Sequence, residues 1–171
     1  MPTLIPRDQA LARIVAEGGR PPCLMCAILD EKVGATYKVA EDEHCLVMLP
    51  RYVRTWGHVM VVPRAHVTRF SELSATLWAH VNQLTLRAAK MVESLRAPKR
   101  VYISSTGSAT SELIQTSRHI HVHVLPVYYE EDRPADLFSW SPGVYVAEHD
   151  EWVELRDSFT QWWTQDALTA R

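Results

Sequence analysis

The sequence predicts a single α+β domain in which antiparallel strands pack against one long helix. Two observations carry this. Three strand-like runs follow one another at short intervals between Thr36 and Pro63, too closely for connecting helices, so neighbours should pair antiparallel. One later segment, 74–96, keeps a helical apolar period along its whole length. No repeat, low-complexity tract or long linker divides the chain, so 1–171 reads as one domain.

Each element has its own signal. Residues 8–16 (DQALARIVA) read as a short helix stopped by Gly18 and Gly19, with Pro21 and Pro22 closing the lead-in. TYKVA (36–40) and HCLVML (44–49) are strand-like runs separated by the polar turn EDE, and HVMVVP (58–63) is a third, bounded by Gly57 and Pro63. In the long helix Leu77, Val81, Leu84, Ala88, Met91 and Leu95 recur at spacings of four and three, with Ser74 as N-cap and Pro98 as terminator. Trp78 and Val92 lie beside that stripe, where a partner could cover them. A strand, VYISS (101–105), a Ser/Thr/Gly-rich loop (105–111) and a second strand, HIHVHVLP (119–126), follow. Beyond the charged turn EEDRP, the 131–171 extension carries a strand, GVYV (143–146), and an amphipathic helix over 150–163 through Trp152, Leu155, Phe159 and Trp162. Its tryptophans read as core or dimer contacts, and Cys45 as a buried apolar residue.

Composition narrows the function. With 47% apolar and 22% charged residues and a net charge of −2, the chain has no basic surplus for general nucleic-acid binding. Any anion must be held by a local site. No apolar run approaches the ~20 residues of a membrane span, and the first residues lack a basic start followed by an apolar block, so the expected address is the cytoplasm. Three cysteines, an odd number, suit a reducing compartment. Cys23 and Cys26 form a C-x-x-C pair that alone fits a redox motif, half of a metal site or coincidence.

HIHVHVLP is the informative stretch. Side chains alternate along a strand, so His119, His121 and His123 share one face while Ile120, Val122 and Val124 share the other. The apolar row can sit on a core, leaving three imidazoles in line on a polar face. Histidine is rare, and three at strict alternation point to chemistry.

This H-I-H-V-H-V-L run resembles the signature of the histidine triad superfamily, and further residues agree over roughly 21–130. Gly57-His58 through Pro63, followed by His66, resembles the family's G-H-x-L-V-x-P strand and its exit, and Gln115 with Thr116 matches its Q-[ST]-x-x-H approach. The order of elements is also similar. The resemblance implies a sheet of about five antiparallel strands with one long helix and flanking shorter helices. It implies a homodimer paired through the long helix and an edge strand. It makes His121 the nucleophile, attacking a phosphate of a nucleotide-like substrate with a backbone carbonyl behind its ring. A neutral imidazole can do this if its other N–H is held by an acceptor. His123, Thr116 and backbone N–H groups of the 107–116 loop, Gly107 among them, would steady the developing charge, and Gln115 would position the phosphate. His58 is either a second-row residue orienting the triad or a satisfied core histidine.

Zinc is the second constellation that the resemblance implies. Cys23, Cys26, His66 and His119 supply two thiolates and two imidazoles, which suits tetrahedral Zn²⁺. Four protein ligands leave no open position, so the metal would be structural.

Two departures bear on the substrate. Where the family's second strand usually ends in an aspartate or asparagine that holds the nucleoside, this chain has Pro50, which offers no side-chain polar group and no N–H; Arg51, Tyr52 and Arg54 are the polar neighbours. The loop before Gln115 reads S-S-T-G-S-A-T-S-E-L-I-Q, without the family's asparagine and with Ile114 in place of a glycine. The reading is a hydrolase or nucleotidyl transferase working through a nucleotidyl-histidine intermediate on nucleoside phosphoramidates or dinucleoside polyphosphates. His123, where the related uridylyltransferases usually have glutamine, and the short chain favour hydrolysis. The alternative is a non-catalytic, zinc-stabilised nucleotide-binding or interaction module.

Overall fold

The computed structural model describes residues 1–18, 21–111, 116–141 and 143–169. The elements run β1 (Thr3–Ile5), α1 (Arg7–Gly18), α2 (Leu24–Leu29), β2 (Tyr37–Glu41), β3 (Cys45–Leu49) and β4 (Val59–Pro63). After a 3₁₀ turn (Phe70–Glu72) come α3 (Ala75–Arg96), β5 (Arg100–Ser104), β6 (Val122–Val127), α4 (Pro134–Ser139), β7 (Val144–Val146) and α5 (His149–Thr169). Five strands form one antiparallel sheet in the order β2-β3-β4-β6-β5. The expected α+β class, five-stranded sheet and long helix are all present.

Both faces of this sheet are covered, which explains why β3 and β4 are buried at every position rather than at alternate ones. Cys45, Val47, Leu49, Val59, Val61, Val122 and Val124 point into the main core, where α3 supplies Val81, Ala88 and Met91 and α5 supplies Trp152, Leu155 and Phe159. Leu46, Met48, Met60 and Val62 point the other way, against Cys23 and Met25 of the α2 region. Helix α3 begins as expected, with the Ser74 hydroxyl accepting a hydrogen bond from the Leu77 N–H at 3.1 Å. It ends at Ala97, whose left-handed backbone (φ 45°) precedes Pro98.

Two features of α3 differ from the sequence reading. Val92 is fully buried in the chain's own core and offers nothing to a partner. Leu95, placed on the inner stripe, is exposed, as is Leu86. Leu95 lies in the last turn of α3, next to the Ala97 cap.

The 131–171 extension returns to the body of the chain at two places. Helix α5 lies along β2, with the Thr160 hydroxyl donating to the Val39 carbonyl at 3.2 Å. Strand β7 pairs antiparallel with β1, and Tyr145 bridges to Val53. The Arg54 guanidinium, itself buried, donates from Nη1 to the Gly143 carbonyl at 3.1 Å. Gly143 (φ +136°) passes so close to the Ile5 carbonyl that a Cβ there would lie 2.6 Å from the oxygen.

Candidate active site and metal cluster

The triad histidines occupy the end of β6 and the extended chain that leads into it. His123 is in the strand, across from Met60 on β4 and Ser104 on β5, while His119 and His121 precede the strand's first residue. Alternation nevertheless holds: Ile120, Val122 and Val124 are buried on one side. The polar face that the alternation defines is buried. His119 and His121 are 0% and 2% exposed, because α2 and the α4 region cover that side of the sheet.

His121 Nδ1 lies 2.7 Å from the His119 carbonyl oxygen. A carbonyl only accepts, so Nδ1 carries the proton and Nε2 carries the lone pair. The rings of His121 and His123 meet edge to face with centroids 4.6 Å apart. His58, set by the turn before β4, places Nε2 2.9 Å from His123 Nδ1, while its Nδ1 is buried with no hydrogen-bond partner among the described residues. A buried orphan N–H is rarer than an orphan acceptor. His58 therefore carries its proton on Nε2 and donates to His123, which leaves His123 with an Nε2–H donor.

Burial favours the neutral form of these two rings. Desolvation, with a contribution from His121, pulls the His58 pKa down to about 3, and desolvation with the neighbouring imidazoles holds His123 well below its usual value. An unfolded His58 would titrate near its ordinary 6.5, so between there and about 3 the unfolded chain binds more protons than the folded one. Stability is full above that window and declines as pH falls through it, by about 1 kcal/mol per pH unit for one such group. Urea unfolding at pH 7.5 and pH 5 should show this decline, with a shallower slope in His58→Asn.

A pocket opens beside these rings. It is lined by His58, His121 and His123, by Met48 and Met60 of the sheet, by Pro50 just past β3, and by Thr116 and Ser117. The Thr116 hydroxyl also contacts that of Thr106 at 3.1 Å. Arg51 reaches the same pocket, its Nη1 3.0 Å from Glu17 of α1. Gly107 adopts φ +83°, a conformation that favours glycine, but its missing side chain faces open space and it is not among the pocket residues. Gln115 and Ile114 lie outside the described residues.

The four expected metal ligands converge. One donor atom from each of Cys23, Cys26, His66 and His119 lies within 4.8 Å of all the others. Cys26 Sγ is 3.1 Å from His66 Nδ1 and 3.6 Å from His119 Nδ1, and Cys23 Sγ is 3.7 Å from His119 Nδ1. Local structure explains the convergence. Cys23 is the N-cap of α2, its sulfur accepting from the Cys26 N–H at 3.4 Å, so one helical turn points both sulfurs the same way. The Ile120 N–H donates to the Val67 carbonyl at 2.7 Å, tying the two histidine segments together. His119 Nε2 donates to the Pro63 carbonyl at 2.9 Å, which puts its Nδ1 lone pair toward the sulfurs. That arrangement is how metal-ligating histidines are commonly oriented.

Sequence reasoning missed several participants. Ser117 puts its hydroxyl 3.7 Å from Cys23 Sγ and 3.3 Å from the His119 N–H; its place two residues before His119 was the available signal. Ile14 and Trp140 also line the pocket, and nothing local in the sequence marks them.

The HIT domain family matches residues 31–130. The chain belongs to the histidine triad (HIT) family. Among the HIT relatives is an uncharacterized HIT-like protein of Mycoplasma genitalium, 27% identical over 107 residues, 62% of this chain and 73% of that protein. The Protein hit of Bacillus subtilis is 26% identical over 110 residues, 64% of this chain and 74% of its own. Solved structures agree on the HIT fold. A hypothetical histidine triad nucleotide-binding protein of Sulfolobus tokodaii superposes with a TM-score of 0.65 at 21% identity, covering 81% of this chain and 90% of that one. A zinc-bound histidine triad family protein of Mycobacterium smegmatis gives 0.62 at 23% identity, covering 84% and 96%. HIT membership supports a nucleotide-binding hydrolase or transferase.

Proposed function

We propose that this HIT protein hydrolyses nucleoside phosphoramidates or dinucleoside polyphosphates through a covalent intermediate on His121. The observation that carries the reading is the 2.7 Å contact from His121 Nδ1 to the His119 carbonyl, which puts the lone pair on Nε2 of a buried ring that lines the pocket. That nitrogen attacks phosphorus. An N–P bond forms while the bond from phosphorus to the leaving group breaks, and the leaving group departs with its electron pair and takes a proton from solvent. Water then attacks phosphorus, the N–P bond breaks, the lone pair returns to Nε2 and a proton is released. His123 Nε2–H and the Thr116 hydroxyl donate to the phosphate oxygens as charge builds, His58 fixes the tautomer of His123, and Gln115 and Arg51 assist in holding substrate. A fluorogenic adenosine phosphoramidate should be cleaved by the wild type; binding without cleavage would favour the non-catalytic module instead.

The Cys23, Cys26, His66 and His119 set fits zinc by donor chemistry and by the orientation of His119. Bound there, the metal would supply no chemistry to the substrate; it would clamp α2, the chain after β4 and the triad segment into one frame. Residues 131–171 belong to the same working unit, since they bring Trp140 to the pocket. Among the described residues no helix is long and apolar enough to cross a membrane, and a cytoplasmic setting suits reduced metal-binding thiols.

The HIT protein also pairs as a homodimer in this reading. Strand β5 ends the sheet order with Ile103 exposed, and α3 exposes Leu86 and Leu95. Light scattering at micromolar concentration should return twice the chain mass; the chain mass alone would defeat this.

A further inference from the structure

The pocket beside the histidines has walls of two origins. The sheet, the β3–β4 connection and the triad segment, inside the HIT-matched span 31–130, supply the histidines, Met48, Pro50 and Met60. Ile14 of α1, Leu24, Met25 and Ile28 of α2, and Trp140 at the end of α4 also line it, and all five lie outside that span. This added wall is aliphatic, with one thioether and one indole.

Its polar content is small. Among the described lining residues there is no Asp, Glu, Asn or Gln. At the Pro50 end the polar side chains are Thr36, Arg51 and Tyr52, and two of them already serve Glu17: the Tyr52 hydroxyl donates to Oε1 at 2.8 Å and Arg51 Nη1 pairs with Oε2 at 3.0 Å. Sugar hydroxyls held in such a wall would find few partners and lose their water. The faces of a flat aromatic group need no hydrogen-bond partner there and gain stacking.

Trp140 is held to meet such a group. Its backbone is left-handed (φ 60°), a costly conformation for a bulky residue. The Gly143 N–H donates to its carbonyl at 2.8 Å, and the indole packs beside the Ile5, Ala10 and Val144 cluster. The β1–β7 ladder and the Arg54 contact to Gly143 brace the same segment.

We propose that this pocket selects its substrate by the aromatic base, stacked on Trp140, and accepts ribose and 2′-deoxyribose nucleotides alike because the described lining residues include no carboxylate to grip the sugar. The proposal rests on the nucleotide reading given above. Calorimetric titration of the full chain with AMP, dAMP and ribose 5-phosphate tests it, in the wild type, Trp140→Ala and Trp140→Phe. AMP and dAMP should bind within about threefold of each other, and ribose 5-phosphate at least about tenfold more weakly, the scale of one base–aromatic stack. Trp140→Ala should weaken both nucleotides about tenfold and leave ribose 5-phosphate unchanged; Trp140→Phe should retain most of the affinity. AMP binding more than about tenfold tighter than dAMP, or an equal loss for all three ligands in Trp140→Ala, would overturn the proposal while leaving the nucleotide reading standing. Failure of the wild type to bind any of the three would overturn both.

Discussion

His121→Ala should lower turnover of a nucleoside phosphoramidate by about 10⁴-fold or more, the scale on which removal of a covalent nucleophile acts. The loss should fall on kcat, because Met48, Met60, Trp140 and the other pocket walls are untouched. His121 is only 2% exposed, so alanine also leaves a small cavity and costs some stability. His121→Gln fills the site without supplying the imidazole lone pair and separates the two effects: it should be as inactive as His121→Ala and closer to the wild type in thermal stability. Activity retained in His121→Gln would remove the nucleophile from its proposed role.

Metal removal should have the largest effect on stability. A ligand present at about a thousand times its Kd stabilises the folded state by about 4 kcal/mol, which for a chain of this length is about 8–16 °C in Tm. Chelator treatment, or Cys23→Ser, should lower Tm by that order, and zinc restored to the chelated wild type should recover it. Metal analysis of protein purified without chelator should return one zinc per chain; well under one would count against the site. His119→Ala should lose both stability and activity, since His119 is the proposed ligand whose carbonyl also holds His121 Nδ1. Through that double role a structural metal held there would bear on catalysis without touching substrate.

The parts of this molecule legible in sequence were those whose signals are local. The alternation of His119, His121 and His123 with Ile120, Val122 and Val124 needed only a strand's two-residue period, and α3 was bracketed by its own cap and terminator at Ser74 and Pro98. The size of the sheet, about five antiparallel strands, and the convergence of Cys23, Cys26, His66 and His119 followed from family resemblance, since no local rule brings segments that far apart together. What escaped has partners distant in the chain. Strand β1 exists because Thr3–Ile5 finds Val144–Val146. Helix α2 is six residues long, below the length at which periodicity can be read. The burial of the histidine face is likewise invisible locally: alternation says which residues share a face, and only the packing of α2 and α4 says that the face is covered. Val92 was misplaced for a related reason, because a helix lying on a sheet and flanked by α5 buries more than one stripe.

The central claim, a nucleotidyl-histidine intermediate, is tested most directly by trapping it. The protein is mixed with a radiolabelled nucleotide phosphoramidate, quenched in base within the turnover time, digested and mapped. The account predicts a label on His121, stable in base and lost in acid, because a phosphoramidate hydrolyses once its nitrogen is protonated. A label on another residue, or rapid turnover with no trapped adduct and undiminished activity in His121→Ala, would contradict it.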